Sequence, residues 1–336
     1  MFVDCLFGSG LTRALPDDLL ALLARLAALH RHRIAIDVPS GIESDSGVAL
    51  NAGLPHWTLT VALGAWKHAH FAMPACAAMG ATRLVDIGVA QVPGAARVLE
   101  RLRLASPAPD AHKYRRGMLG IVGGEMPGAA MLAATAALRT GAGYVKLAAQ
   151  SAPAGVPPEL VVTSDSAALL ADARTSALLV GPGLGRSDGA SRLLAAALHA
   201  GRPTVVDADA LVLLRPAMLS GAPCVLTPHE GEMAALERAF GLSGKGLRRD
   251  RALALAEVSG AVVVLKGPDT LIAAPGARLS WPARFIVALG CGNGRCTGRH
   301  DSQSARHEWP SLARGGGRPM APRRSGAAVR ACVHGR

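Results

Sequence analysis

The chain has 336 residues, half of them apolar, which allows a sizeable core and about two domains. Aromatic residues make up only 3% while Ala, Leu and Gly dominate, so aliphatic cores in alternating helices and strands are expected, an α/β composition. The formal charge of +12 is concentrated: from Arg284 onward there are ten Arg, no Lys and two acids, Asp301 and Glu308, leaving only +4 on the first 283 residues, so no nucleic-acid partner is expected. No apolar run reaches the roughly 18 residues of a membrane span, and Met1 to Cys5 lacks the charged start of a secretory signal. The expectation is a cytoplasmic chain with no membrane partner. The six cysteines (Cys5, Cys76, Cys224, Cys291, Cys296, Cys332) form no CxxC pair, and Cys224, inside a strand-like run, reads as a small core residue.

In chain order, Met1 to Asp4 reads as a strand end followed by the Gly-rich turn Gly8-Ser9-Gly10-Leu11-Thr12-Arg13-Ala14, with no preceding element to pair against. Pro16-Asp17-Asp18 opens an apolar helix through Leu29, with acids in the first turn, where the helix dipole favours them. Arg33 to Asp37 is a second strand, ending in Val38-Pro39-Ser40-Gly41. Ligands collect at the carboxyl ends of strands in open α/β sheets, so Asp4, Asp37 and the turn from Gly8 to Ala14 are expected to line one crevice.

These stretches, with Thr60 to Lys67 and Val85 to Val89, resemble the second half of an NAD(P)H-hydrate epimerase domain, which is Rossmann-like. The first half, whose Gly/Asn-rich loop completes the family's pocket, is not among these residues. The resemblance implies that Gly8, Ser9, Gly10, Leu11, Thr12, Arg13, Ala14 and Asp37 face the hydrated nicotinamide nucleotide. It also implies that Asp4 and Ser40 ligate K+, a cation suited to hard oxygen donors. Half a pocket implies an inactive epimerase.

Residues 92–110, rich in Pro with alternating Arg and Leu, read as a linker. Beyond it strand and helix signals alternate. Met118 to Val122 leads to the turn Gly123 to Gly128 and an Ala-rich helix from Ala129 to Thr140; Ala177 to Val180 feeds Gly181-Pro-Gly183-Leu-Gly185; a helix spans Ser191 to Ala200. Thr204 to Val206 feeds Asp207-Ala-Asp209, and Cys224 to Leu226 feeds Thr227-Pro-His229-Glu-Gly-Glu232. A helix from Ala252 to Val258 precedes the β-branched run Ala261 to Leu265, read as a central parallel strand. The loop after it, Lys266-Gly267-Pro268-Asp269-Thr270, offers an ammonium, a Gly that lets a ligand approach, and a hydroxyl, equipment for holding an anion. The rhythm implies a largely parallel, doubly wound sheet with its site along one edge. Gly181 to Gly185 is neither a Walker loop nor a Rossmann fingerprint.

Taken together, Met126 to Ala130, Gly141 to Gly143, Gly181 to Gly185, Asp207 to Leu211, Thr227 to Met233 and Val264 to Thr270 follow the order and spacing of ADP-dependent NAD(P)H-hydrate dehydratases, a ribokinase-like family. The resemblance implies that Ala129, Gly183 and His229 contact the hydrate and that Lys266, Gly267, Pro268, Asp269 and Thr270 hold the nucleotide phosphates. The implied reaction is phosphorylation of the hydrate hydroxyl from ADP with Mg2+, then elimination to restore NADH or NADPH. The expected organisation is a truncated epimerase domain (1–91), a linker (92–110), a dehydratase domain incomplete at its C-terminal side (111–283) and a tail (284–336). A homo-oligomer is left open. A ribokinase-like small-molecule kinase and a non-catalytic nucleotide-binding fragment are the alternatives.

The family's Gly-x-Gly-Asp, whose Asp accepts the hydroxyl proton at an anion-binding helix start, does not follow the Lys266 loop as expected. Periodicity stops near Arg284. Back-translating Gly290 to Ala305 with chosen synonymous codons and reading one base later yields Ala-Ala-Gly-Thr-Gly-Asp followed by apolar residues at helical spacing, so the tail is read as frameshifted and disordered. Loss of the general base alone costs roughly 10² to 10⁴ in rate.

Overall fold

The computed structural model describes residues 1–90, 92–99, 117–150, 155–219, 221 and 223–282. The N-terminal half carries a parallel four-stranded sheet in the order β1 (Phe2–Asp4), β2 (Arg33–Ile36), β3 (Leu59–Leu63), β4 (Ala81–Val85). Helix α1 (Asp17–Leu29), within a residue of expectation, crosses from β1 to β2; it packs Leu23 against Leu15, Ala35 and Trp57 and also buries Ala27. A one-turn helix α2 (Ala75–Ala78) precedes β4.

The second sheet is built in chain order from β5 (Arg97–Leu99), β6 (Met118–Val122), β7 (Tyr144–Ala148), β8 (Val161–Thr163), β9 (Thr175–Val180), β10 (Thr204–Val206), β11 (Cys224–Leu226), β12 (Val262–Leu265), β13 (Leu271–Ala274) and β14 (Arg278–Pro282). Its spatial order is β5-β14-β13-β12-β11-β10-β9-β6-β7-β8. The helices α3 (Pro127–Arg139), α4 (Ser166–Ala171), α5 (Asp188–His199), α6 (Asp209–Leu213), α7 (Glu230–Ala239) and α8 (Arg248–Ser259) connect or flank the strands. From β8 to β12 every pairing is parallel. The strand after the expected site loop runs antiparallel to β12. Thus β12 closes the parallel block instead of lying within it, because the five residues 266–270 are too few for a parallel crossover and make a hairpin connection. The segment Arg97–Leu99, inside the span read as linker, pairs in parallel with β14.

Alanine and leucine share the packing. Ala130 and Ala134 of α3 and Ala197 of α5 are fully buried, and Val180, Val206, Leu226, Val263 and Leu265 form the spine of the largest core cluster. Ala72, from the N-terminal half, belongs to that same cluster, and Phe71 packs against it. Burial pushes the Cys224 thiol up to about 11, so it is an inert core group. Among the described residues no helix is long and apolar enough to cross a membrane. The expected tail, with Asp301, and residues 100–116 lie outside the described residues.

Candidate functional site

Strand order reverses between β6 and β9: β7 and β8 extend one way, β10 to β12 the other. Such a switch point opens a crevice at the strands' carboxyl ends. The turns after β6 and β9 meet there backbone to backbone, with Met126 N donating to Gly183 O at 2.9 Å. Gly183 has φ +69°, and a Cβ on it would lie 2.1 Å from Met126 O and 3.2 Å from the Ala129 Cβ. Gly181 has φ +126°, and its Cβ would sit 1.7 Å from Asp207 O, so the turn admits only glycine. Ala129 and Gly183, expected to share a ligand, are therefore adjacent. A hollow of about 340 Å3 beside them is lined by Gly124, Glu125, Gln150, Leu184 and Ser187, among others.

Further along the same edge, His229 caps α7. Its Nδ1 accepts from Gly231 N (2.9 Å) and Glu232 N (3.3 Å), while His229 N donates to Glu232 Oε2 at 2.8 Å, a reciprocal capping box. The cap fixes which nitrogen is an acceptor and leaves Nε2, 3.5 Å from Glu232 Oε1, on an exposed ring. Lys266, at the end of β12, does not stand free. Its ammonium pairs with Asp207 Oδ1 at 2.8 Å and lies 3.7 Å from Glu232 Oε2, and Thr227 Oγ1 donates to the same Asp207 oxygen at 2.8 Å. The following loop is closed on itself: Gly267 N donates to Thr270 Oγ1 (3.1 Å), which donates to Gly267 O (2.7 Å). Pro268 is exposed and Asp269 is buried. Asp207, Thr227 and Glu232 received no role from the sequence, although each sits in a motif at a strand's carboxyl end.

In the N-terminal half, the turn from Gly8 to Ala14 lines a cleft of about 900 Å3 together with Phe7, Leu15, Pro16 and Leu19. Asp37, at φ +65°, reaches the back of this turn: its carboxylate accepts from Leu63 N (3.2 Å), from Lys67 Nζ and from Ser9 N, and Gly8 lies against it. Burial raises the Asp37 pKa, but these donors outweigh it and hold the carboxyl below its ordinary value. His70 Nε2 donates to Asp37 O at 2.7 Å and its Nδ1 accepts from Lys67 N, which defines a neutral tautomer; its pKa is lowered chiefly by burial. Asp4, 1% exposed, accepts from Ser40 N (2.8 Å) and Ser40 Oγ (2.7 Å). The two expected K+ ligands thus stand together with hard oxygens, but both Asp4 oxygens are satisfied by Ser40, and two residues are only part of a coordination sphere.

Residues 119–298 match the model of NAD(P)H-hydrate dehydratases. The chain belongs to the NAD(P)H-hydrate dehydratase family. Residues 1–69 match a second model, that of the YjeF-related protein N-terminus. Two bifunctional NAD(P)H-hydrate repair enzymes are similar in sequence. That of Mycobacterium tuberculosis is 37% identical over 258 residues, covering 72% of this chain and 52% of its own. That of Coxiella burnetii is 36% identical over 296 residues, covering 81% and 59%. The chain therefore spans between half and two thirds of the length of these relatives, and the epimerase-like and dehydratase-like motifs stand in the order of that fusion. An ADP/ATP-dependent NAD(P)H-hydrate dehydratase from Bacillus subtilis, crystallised with ATP and Mg2+, is 27% identical with a TM-score of 0.43, covering 53% of this chain and 68% of its own.

Proposed function

We propose that the second half binds NAD(P)H hydrate at the switch point and an adenine nucleotide at the Lys266 loop. The observation that carries this reading is the convergence of the family's motifs, distant in sequence, on one edge of one sheet. Ala129, Gly183 and His229 would contact the hydrate; Lys266, Gly267 and Thr270 would meet the phosphates. In the ADP-dependent reaction the hydrate hydroxyl attacks the terminal phosphorus of ADP, releases AMP and gives its proton to a base. The phosphate then leaves as the neighbouring carbon loses a proton, restoring the double bond. Magnesium bound with the nucleotide would neutralise phosphate charge. Asp207 and Glu232, the carboxylates beside Lys266, would help hold it, with phosphate and water supplying the other ligands; no cluster of three metal-binding side chains occurs among the described residues.

Lys266 cannot serve as that base while it is a paired ammonium, and the Gly-x-Gly-Asp expected downstream is not in the sequence. Nucleotide binding with hydrate repair near background is therefore the expected behaviour of this polypeptide. In the N-terminal half, Gly8 to Ala14 and Asp37 would face the hydrate, and Asp4 and Ser40 would contribute to a K+ site. Calorimetry with ADP, paired with the return of reduced-nicotinamide absorbance from NADH hydrate plus ADP and Mg2+, tests the reading. Binding without repair is the expected result. Robust repair would overturn the impairment, no binding of ADP or ATP would overturn the nucleotide site, and a phosphorylated vitamin or sugar product would favour a small-molecule kinase.

A further inference from the structure

Asp269 sits inside the loop assigned to nucleotide phosphates, where an exposed carboxylate would repel them. It is instead 5% exposed and turned away. Its Oδ2 accepts from Met73 N at 3.1 Å, while its Oδ1 has no hydrogen-bond partner among the described residues and is met only by the charge of Arg248, whose Nε lies 3.4 Å away. Arg248 in turn donates from Nη2 to Lys266 O at 3.1 Å and stands directly over Gly267, where a Cβ would be 2.7 Å from that nitrogen. The loop is thus gripped from behind by α8 and by residue 73 of the N-terminal half. The grip is one part of a continuous seam. Trp281 Nε1 donates to His68 Nδ1 at 3.2 Å, the Phe71 ring stacks on Trp281 with centroids 5.9 Å apart, Arg249 donates to Asp45 O, and Ala72 is buried in the second sheet's core.

We propose that the epimerase-like half serves as a brace for the dehydratase-like half: through Asp269 it fixes the conformation of the Lys266–Thr270 loop and so sets nucleotide affinity. This rests on reading that loop as the nucleotide site. A buried carboxylate needs its donors, and a seam that supplies one of them holds the loop in one shape. Asp269 is a positioning residue here, and the N-terminal half contributes to the second site without touching substrate.

The test uses the full chain and four proteins: wild type, Asp269→Asn, and the seam variants Phe71→Ala and His68→Ala, which alter no loop residue. ADP titration should show affinity weakened about ten-fold in Asp269→Asn and several-fold in Phe71→Ala, the size of losing a hydrogen bond to a charged group or its support. Amide exchange at Gly267 in the ligand-free chain should rise in the same variants while exchange in β6 and β9 stays at the wild-type rate, which separates loop release from general unfolding. Unchanged affinity and unchanged loop exchange in the seam variants would overturn the brace. If the wild type binds neither ADP nor ATP, the nucleotide reading fails, and loop exchange alone decides the brace.

Discussion

At the scale of single residues, the sequence showed which side chains stand at strand ends but not which partners they take. Lys266 was legible as a cation at a strand's end. Its pairing with Asp207 and Glu232 was not, because those groups lie 59 and 34 positions away. The pairing sharpens what removing it should do. Lys266→Ala is expected to weaken ADP binding about ten-fold, as loss of a charge-assisted contact implies. It also leaves two partly buried carboxylates side by side, so a loss of about 1–3 kcal/mol of stability is expected as well. Calorimetry and chemical denaturation read the two effects separately, and unchanged ADP affinity would remove Lys266 from the site. At His229 the structure adds a role that the sequence did not show: Nδ1 is committed to the helix cap, and Nε2, 3.5 Å from Glu232 Oε1, lies on the exposed side of the ring.

At the scale of elements, periodicity located α1, α3, α5, β6, β9, β10 and β11 to within a few residues. The strands β3 and β4 and the hairpin β13–β14 carried weaker local signals and were not read. The turns were the most informative elements, since their glycines answer to backbone and not to side chains. Gly181→Ala places a Cβ on the Asp207 carbonyl at a backbone angle that alanine avoids. A destabilisation of roughly 3 kcal/mol or more is expected, with the switch-point turn as the first region to lose amide protection. A variant with wild-type stability would mean that the turn after β9 relaxes freely, and that the meeting of Gly183 with Met126 does not fix the crevice.

At the scale of the whole molecule, two buried histidines, His68 at the seam and His70 inside the N-terminal half, make stability depend on pH in a definite direction. His68 and His70 both have pKa values held below 6.5, chiefly by burial, with Arg249 adding to the effect at His68 and Lys67 at His70. Their unfolded rings bind protons at a higher pH than the folded ones, so stability is full above about 6.5 and declines as pH falls through and below it. The melting temperature should therefore drop between about pH 7.5 and about pH 5.5, where His is the side chain that titrates. His70→Gln should flatten that slope even if it lowers the starting value. An equally steep slope in the variant would exclude His70 as its source. Protonation of His68 would also remove the acceptor for Trp281 Nε1, so Trp281 fluorescence should track the transition.

The sequence by itself determined the α/β class, the positions of the Gly-rich and acidic strand ends, and the family, since each of these rests on local periodicity or on residues a few positions apart. Tertiary structure alone decided that β12 has an antiparallel neighbour, that Ser40 satisfies both oxygens of Asp4, and that Asp269 faces away from the crevice toward Met73, 196 positions upstream. The physical reason is that a motif specifies which chemical groups a turn carries, whereas the direction of a buried polar side chain is set by the donor that saves it from desolvation. For Asp269 that donor is in the other half of the molecule.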